Sequence, residues 1–317
     1  MGATPAKRIR LPAAYSLAVC EDGSKFACTR RYDVVVVDLC SRQILYRCRP
    51  IPHPSAAAFS PDGSLLAVAS VHGVTAFLDA ATGATVGAAA DSPVEGCAPK
   101  FAEESRLLAG KWNGDLTLYS QSGEVLGREL HPGEMISRIS HDAARKLWLI
   151  QHTRKPSSPR DSPTSYLTLR IWPDWSSVRR RFEMQSWIES ATLSPDGLFI
   201  AYLERWWDPI TGSKRWGTIL HVLRIADDEV VAVRGPIDAG GTGFELAWSP
   251  DGRHVGVVTK HGFSFFDIEE EGRQASVPCK FPSSLAFLPN GKSVVLGTWE
   301  RSAVFDLDSV MAGQRSL

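Results

Sequence analysis

Read for hydrophobic and polar positions, the chain repeats one short unit. Four segments align: AAAFSPDGSLLAVAS from Ala56, SATLSPDGLFIAYLE from Ser190, ELAWSPDGRHVGVVT from Glu245 and SLAFLPNGKSVVLGT from Ser284. Each is an apolar run, a polar turn and a second apolar run. In the turn, Pro presets φ, Asp or Asn bonds its own backbone, and Gly takes positive φ. Two such runs across a tight turn predict a β-hairpin. Weaker copies begin at Ser16, Pro99 and Ser137. The turn positions Asp22, Asp62, Glu104, Asp142, Asp196, Asp251 and Asn290 are spaced by 40, 42, 38, 54, 55 and 39 residues. Four of these steps fit one four-stranded propeller blade, and the two long ones call for insertions of roughly a dozen residues.

A third strand follows each hairpin, at 34–38, 74–79, 116–120, 166–172, 219–224, 263–267 and 303–306. A fourth usually comes next, as at 43–48, 85–88 and 230–233. The expected architecture is all-β: one seven-bladed β-propeller of four-stranded antiparallel blades over residues 1–317. The expected blades are 13–50, 51–92, 93–132, 133–184, 185–238, 239–280 and 281–312. The last unit lacks its outer strand, and residues 7–12 form a spare apolar-alternating strand, so that strand is expected to close the ring. Radial repetition is how such folds limit exposed strand edges.

These repeats resemble the WD-repeat and related propeller families over essentially the whole chain. The third strands end in Val37-Asp38, Leu78-Asp79, Phe266-Asp267 and Phe305-Asp306, where the family has Trp-Asp. His53 and His131 stand where its loop histidine would be. The resemblance implies a binding scaffold rather than a particular activity.

Composition narrows the picture. Lys plus Arg and Asp plus Glu are 35 each, so no global charge points to nucleic acid or to a membrane. No apolar run has the length of a membrane span or signal peptide, and a cytoplasmic location is expected. The six cysteines form no CxxC pair and complete no zinc spacing with histidine, so buried free thiols are expected and no metal. No GxSxG elbow is present, and no cofactor signature was found; a non-enzyme is expected. The Gly-rich stretch 238–244 leads into a strand and reads as a connection between blades.

Counting strands places the second-to-third turns and the blade connections on one face, called the top here. Basic and aromatic residues gather there: Lys111 and Trp112, Trp187, Trp299 and Arg301, and, in the insertion ERWWDPITGSKRWG, Arg205, Trp206, Trp207, Lys214, Arg215 and Trp216. A second insertion, 152–165, is rich in Pro and Ser. Arg and Trp are enriched at binding hot spots. The acids of the opposite face read as turn formers. The expected function is a protein-interaction scaffold, a monomer or a subunit of a larger complex, that takes a protein or peptide with an acidic segment through the top loops of blades 4 and 5. The alternative is a propeller with a small anionic or sugar ligand, or a metal-dependent hydrolase or lactonase site, in its central funnel. Nucleic acid is the least favoured partner, because acids are interspersed with the cations.

Overall fold

The computed structural model describes residues 11–90, 92–142, 146–154, 164–184, 186–207, 216–237 and 245–313. They form seven antiparallel sheets in chain order, six of four strands and one of three. Every sheet is a simple meander, so the fold is a seven-bladed β-propeller. The seven innermost strands are Ser16–Val19, Pro54–Phe59, Lys100–Phe101, Glu134–Asp142, Ile188–Leu193, Leu246–Trp248 and Pro282–Phe287. Each lies against the next around the ring, and the last lies against the first.

The core is divided among the seams. Seven clusters of buried residues occur, and each joins one blade to its neighbour. The strand Val34–Asp38 shows why its sequence is apolar at successive positions. Val34 and Val36 enter the cluster shared with blade 2, while Val35 and Val37 enter the one shared with blade 7. Both faces of a middle strand are covered, so alternation of apolar and polar residues is lost. The fourth strands keep one wet face, and Ile44–Cys48 alternates accordingly.

The Ser-Pro-Asp-Gly turns share one set of bonds. In blade 2 the Ser60 hydroxyl donates to Asp62 at 2.6 Å and accepts from the Leu65 amide at 2.9 Å. Ser194 and Ser249 repeat the arrangement with Asp196 and Asp251. Gly63 completes the turn at φ 68°. Blade 3 has no Gly here, and Glu104 and Ser105 take φ of 57° and 53° instead. Positive φ is costly for residues with a Cβ, which is why this copy is weak in sequence.

Ring closure rests on Leu11, which exchanges backbone bonds of 3.1 and 3.2 Å with Ser302. Ala14 adds a bond to Thr298 at 3.0 Å, and the Ser283 hydroxyl donates to the Ala14 carbonyl at 2.6 Å. Residues 7–10 of the expected closing strand lie outside the described residues. After the last strand a short helix, Leu307–Met311, packs Leu307 and Val310 into the seam of blades 6 and 7. All six cysteines are free thiols. Among the described residues no helix is long and apolar enough to cross a membrane.

Leu11 is buried among residues of blades 1 and 7. Leu11→Ala should destabilise the protein by about 2–3 kcal/mol, the usual cost of such a truncation. In urea denaturation the loss should fall on the single main transition. An early transition confined to the last blade would contradict the role of this joint.

Candidate functional site

The pairing registers fix the top face. Ser16 opposes Thr29, Pro54 opposes Ser70, and Pro282 opposes Thr298. Entry segments and second-to-third turns therefore share one end of the ring.

The aromatic insertion of blade 5 is less of a loop than its sequence suggested. The strands run on through Phe199–Trp207 and Trp216–Arg224, pairing Arg205 with Thr218, Trp206 with Gly217 and Trp207 with Trp216. Aromatic and β-branched residues favour extended backbone, so the hairpin lengthens. Lys214 and Arg215 lie outside the described residues, as do 155–163 and 238–244. Arg205 pairs with the Glu189 carboxylate, and its guanidinium lies 5.6 Å from the centre of the Trp187 ring. Trp187 is half-buried.

Lys111 must be corrected as a surface contact. It is buried, and its Nζ donates to the Gly73 carbonyl of blade 2 at 2.5 Å. The turns of blades 2 and 3 meet here, and the stem is enclosed between them. Burial pushes the Lys111 pKa down.

Trp112, Trp299 and Arg301 are exposed on the top face as expected. Trp299 stacks on Phe281 at 6.3 Å and meets Tyr15 edge-on at 5.6 Å. Further round, Arg31 lies over Tyr32 at 5.0 Å, and Tyr32, His53 and His72 follow with ring centres 5.7 and 5.4 Å apart. The five large aromatics that are exposed among the described residues, at 39–57%, are Tyr15, Tyr32, Trp112, Phe281 and Trp299. All five lie on the top face, in an arc from blade 7 through blades 1 and 2 to blade 3. Exposed aliphatics such as Ile44, Val86, Leu126 and Val233 belong instead to fourth strands on the outer rim. Sequence reasoning weighed the turns and missed Tyr15 and Phe281, which sit in blade connections. The same strand count would have placed them.

The acids at third-strand ends are occupied in their own turns. Asp38 accepts from the Ser41 amide and hydroxyl, and Asp79 from those of Thr82.

A buried polar cluster at the top of blade 4 was not anticipated. His131, Glu134 and His152 bring a ligand atom each within 4.8 Å of one another. Arg154 and Arg181 donate to Glu134 Oε1 at 2.8 and 3.2 Å. Beside them Arg170, fully buried, makes a bidentate pair with Glu129 of blade 3 at 2.5 and 3.0 Å. The three residues stand 3 and 18 positions apart in the chain. That is no local metal spacing, and only the hairpin register unites them.

The central channel, about 480 Å³, is lined by the first strands of all seven blades. Its ionisable groups are Glu21, Lys100, Arg138, His141 and Glu245. Arg138 reaches from blade 4 to blade 6, donating to the Leu246 carbonyl at 3.2 Å and standing 4.0 Å from Glu245. Lys100 is open to the channel water yet walled by protein on every side. That confinement, and then the Arg138 cation, push its pKa down. His141 stacks on Trp148 at 4.1 Å, and burial pushes its pKa from an ordinary 6.5 to about 4.

No protein-family model matches this chain, and no curated protein sequence matches it. Among solved structures it is similar to Kuenenia stuttgartiensis hydrazine synthase, with a TM-score of 0.78 at 14% identity. The match covers 96% of this chain and 99% of that one. The likeness extends to the seven-bladed fold alone, and no comparison assigns the chain to the WD-repeat family.

Two outcomes follow from the buried charges. Arg170→Ala takes away the bidentate cation of Glu129 and should cost about 3 kcal/mol, the low end of the range for removing one partner of a buried pair; chemical denaturation reads this directly. Burial of His141 disfavours its imidazolium, so between pH 6.5 and about 4 the unfolded chain binds more protons than the folded one. Stability should therefore fall as the pH drops through that window. His131, His152 and His254, also shifted down by burial, act in the same direction. His141→Phe should flatten the dependence of the urea midpoint on pH without abolishing it.

Proposed function

We propose that this chain is a non-catalytic binding propeller whose top face takes up a segment of a partner protein. The observation that carries this reading is the confinement of the exposed aromatics to one face. Scattered apolar residues are ordinary on a surface, whereas exposed aromatics gathered on one face mark an interaction site. Tyr and Trp supply large contact area with little loss of rotamer freedom. Arg31 on Tyr32, and Arg301 beside Trp299, add cations suited to an acidic residue of the partner. Blades 4 and 5 continue the face with Arg154 and Arg181, both over Tyr166, and with Arg205. The contact surface thus extends from the blade 4–5 quadrant to the aromatic arc. Free thiols suit a reducing compartment, and we place the protein in the cytoplasm, alone or as one subunit of a larger complex.

A second reading keeps a small anion in the channel. Its support is the pair of cations, Lys100 and Arg138, facing the same space from adjacent blades. Titration with phosphate or a dicarboxylate, with Lys100→Ala as control, separates this reading from the first.

Selection of displayed random peptides on the intact chain tests the main proposal. Bound peptides should be enriched in acidic and apolar residues. Trp112→Ala and Trp299→Ala should each weaken capture by about thirtyfold, the roughly 2 kcal/mol that marks a hot spot. Melting temperature should barely move, and Val86→Ala on the outer rim should bind like the parent. Undiminished capture by both Trp variants would sink the proposal.

A further inference from the structure

We propose that His131, Glu134 and His152 form a three-ligand site for a divalent metal ion, Zn(II), at the top of blade 4. Glu134 opens the first strand of the blade, and His152 lies near the end of the second. His131 comes from the connection out of blade 3. Its backbone is pinned: the amide donates to the Gly114 carbonyl at 3.0 Å, and the carbonyl accepts from the Glu134 amide at 3.1 Å. A Cβ on Gly114 would stand 2.1 Å from the His131 carbonyl oxygen, so this close approach requires glycine.

Hydrogen bonding fixes which atoms face inward. The Thr168 hydroxyl donates its single proton to the Ile150 carbonyl at 3.3 Å. With that bond made, it accepts from His152 Nε2, which lies 3.0 Å away. Neutral His152 therefore carries a bare lone pair on Nδ1, and that atom is 3.3 Å from Glu134 Oε2. His131 faces the same carboxylate, with Nδ1 3.9 Å from Glu134 Oε2, while its Nε2 stands 3.1 Å from Glu129 Oε1 without making a hydrogen bond. Three acceptors converge on one point. Glu134 Oε2 and His152 Nδ1 are buried and have no hydrogen-bond partner. Such groups are expensive to leave unpaired, and only a cation between them removes the repulsion.

The spacing suits zinc. With bonds of about 2.0–2.1 Å, a tetrahedral site separates its donors by roughly 3.3 Å; His152 Nδ1 and Glu134 Oε2 stand at that distance, and His131 Nδ1, at 3.9 Å, closes in by about half an ångström on binding. The surroundings match those of known metal histidines, whose outer nitrogen donates to a carboxylate or hydroxyl. Here Thr168 fills that place for His152, and the Glu129 carboxylate stands beside the outer nitrogen of His131. Arg154 and Arg181 hold Oε1 and leave Oε2 for the ion. Together with Arg170 they also oppose an incoming dication, so affinity should fall below that of closed four-ligand sites. Three protein ligands leave a position for water, or for a donor atom of whatever docks on the top face. The competing occupant is a proton on His152 Nδ1.

The test uses the whole chain, stripped with chelator and titrated with Zn(II) and Co(II). One equivalent should bind and raise the melting temperature. The Co(II) complex should show tetrahedral bands and no thiolate charge transfer, which excludes the cysteines. His131→Ala and Glu134→Gln should each lose at least tenfold in affinity, and Thr168→Val, which among the three ligands reaches only His152, about tenfold. If a variant fails to fold, the Co(II) spectrum of the unaltered chain decides. No saturable binding, a thiolate spectrum, or equal binding by folded variants would overturn the site. Metal loading and peptide capture are read separately, so either can fail alone.

Discussion

The fold depends on blade-on-blade packing. No blade here has a core of its own; each of the seven clusters of buried side chains belongs to two neighbours. A four-stranded sheet whose middle strands are apolar on both sides cannot stand alone in water, and a ring supplies two covers for every sheet. This constraint accounts for the all-apolar Val34–Val37 and for the buried Lys111, whose ammonium serves as a bridge between two turns.

The repeat was legible because the hairpin turns are chemical devices. Ser, Asp and Gly at fixed offsets make one bond network, and three blades keep all of them. Blade 3 was faint since Glu104 and Ser105 adopt the glycine conformation without being glycine. Strand ends were less legible. Aromatic residues in the blade 5 insertion signal a contact surface and an extended strand equally well, and pairing of Trp207 with Trp216 shows that the strand continues.

The candidate site was legible only as a face. Strand counting assigns Trp112, Trp299 and Arg301 to the top, and they lie there exposed. Lys111, next to Trp112, points to the opposite fate because exposure at a turn depends on the adjoining blade, which a linear reading does not contain. The His131, Glu134 and His152 grouping has the same character. Its members come from two strands and a connection, and only a cross-strand register such as Ile136 with His152 brings them together.

The joint between Leu11 and Ser302 has a consequence for biosynthesis. On the ribosome the first blade is complete long before its second neighbour exists. Phe26, Cys28, Val35 and Val37 must wait for Leu288 and Val295 to cover them. At roughly 5–20 residues per second, that wait is on the order of 10–50 s. Throughout it the nascent chain presents a bare apolar sheet face. The protein is thus an expected client of chaperones that bind such faces, and the demand comes from its topology: in a closed ring the blade made first is covered last.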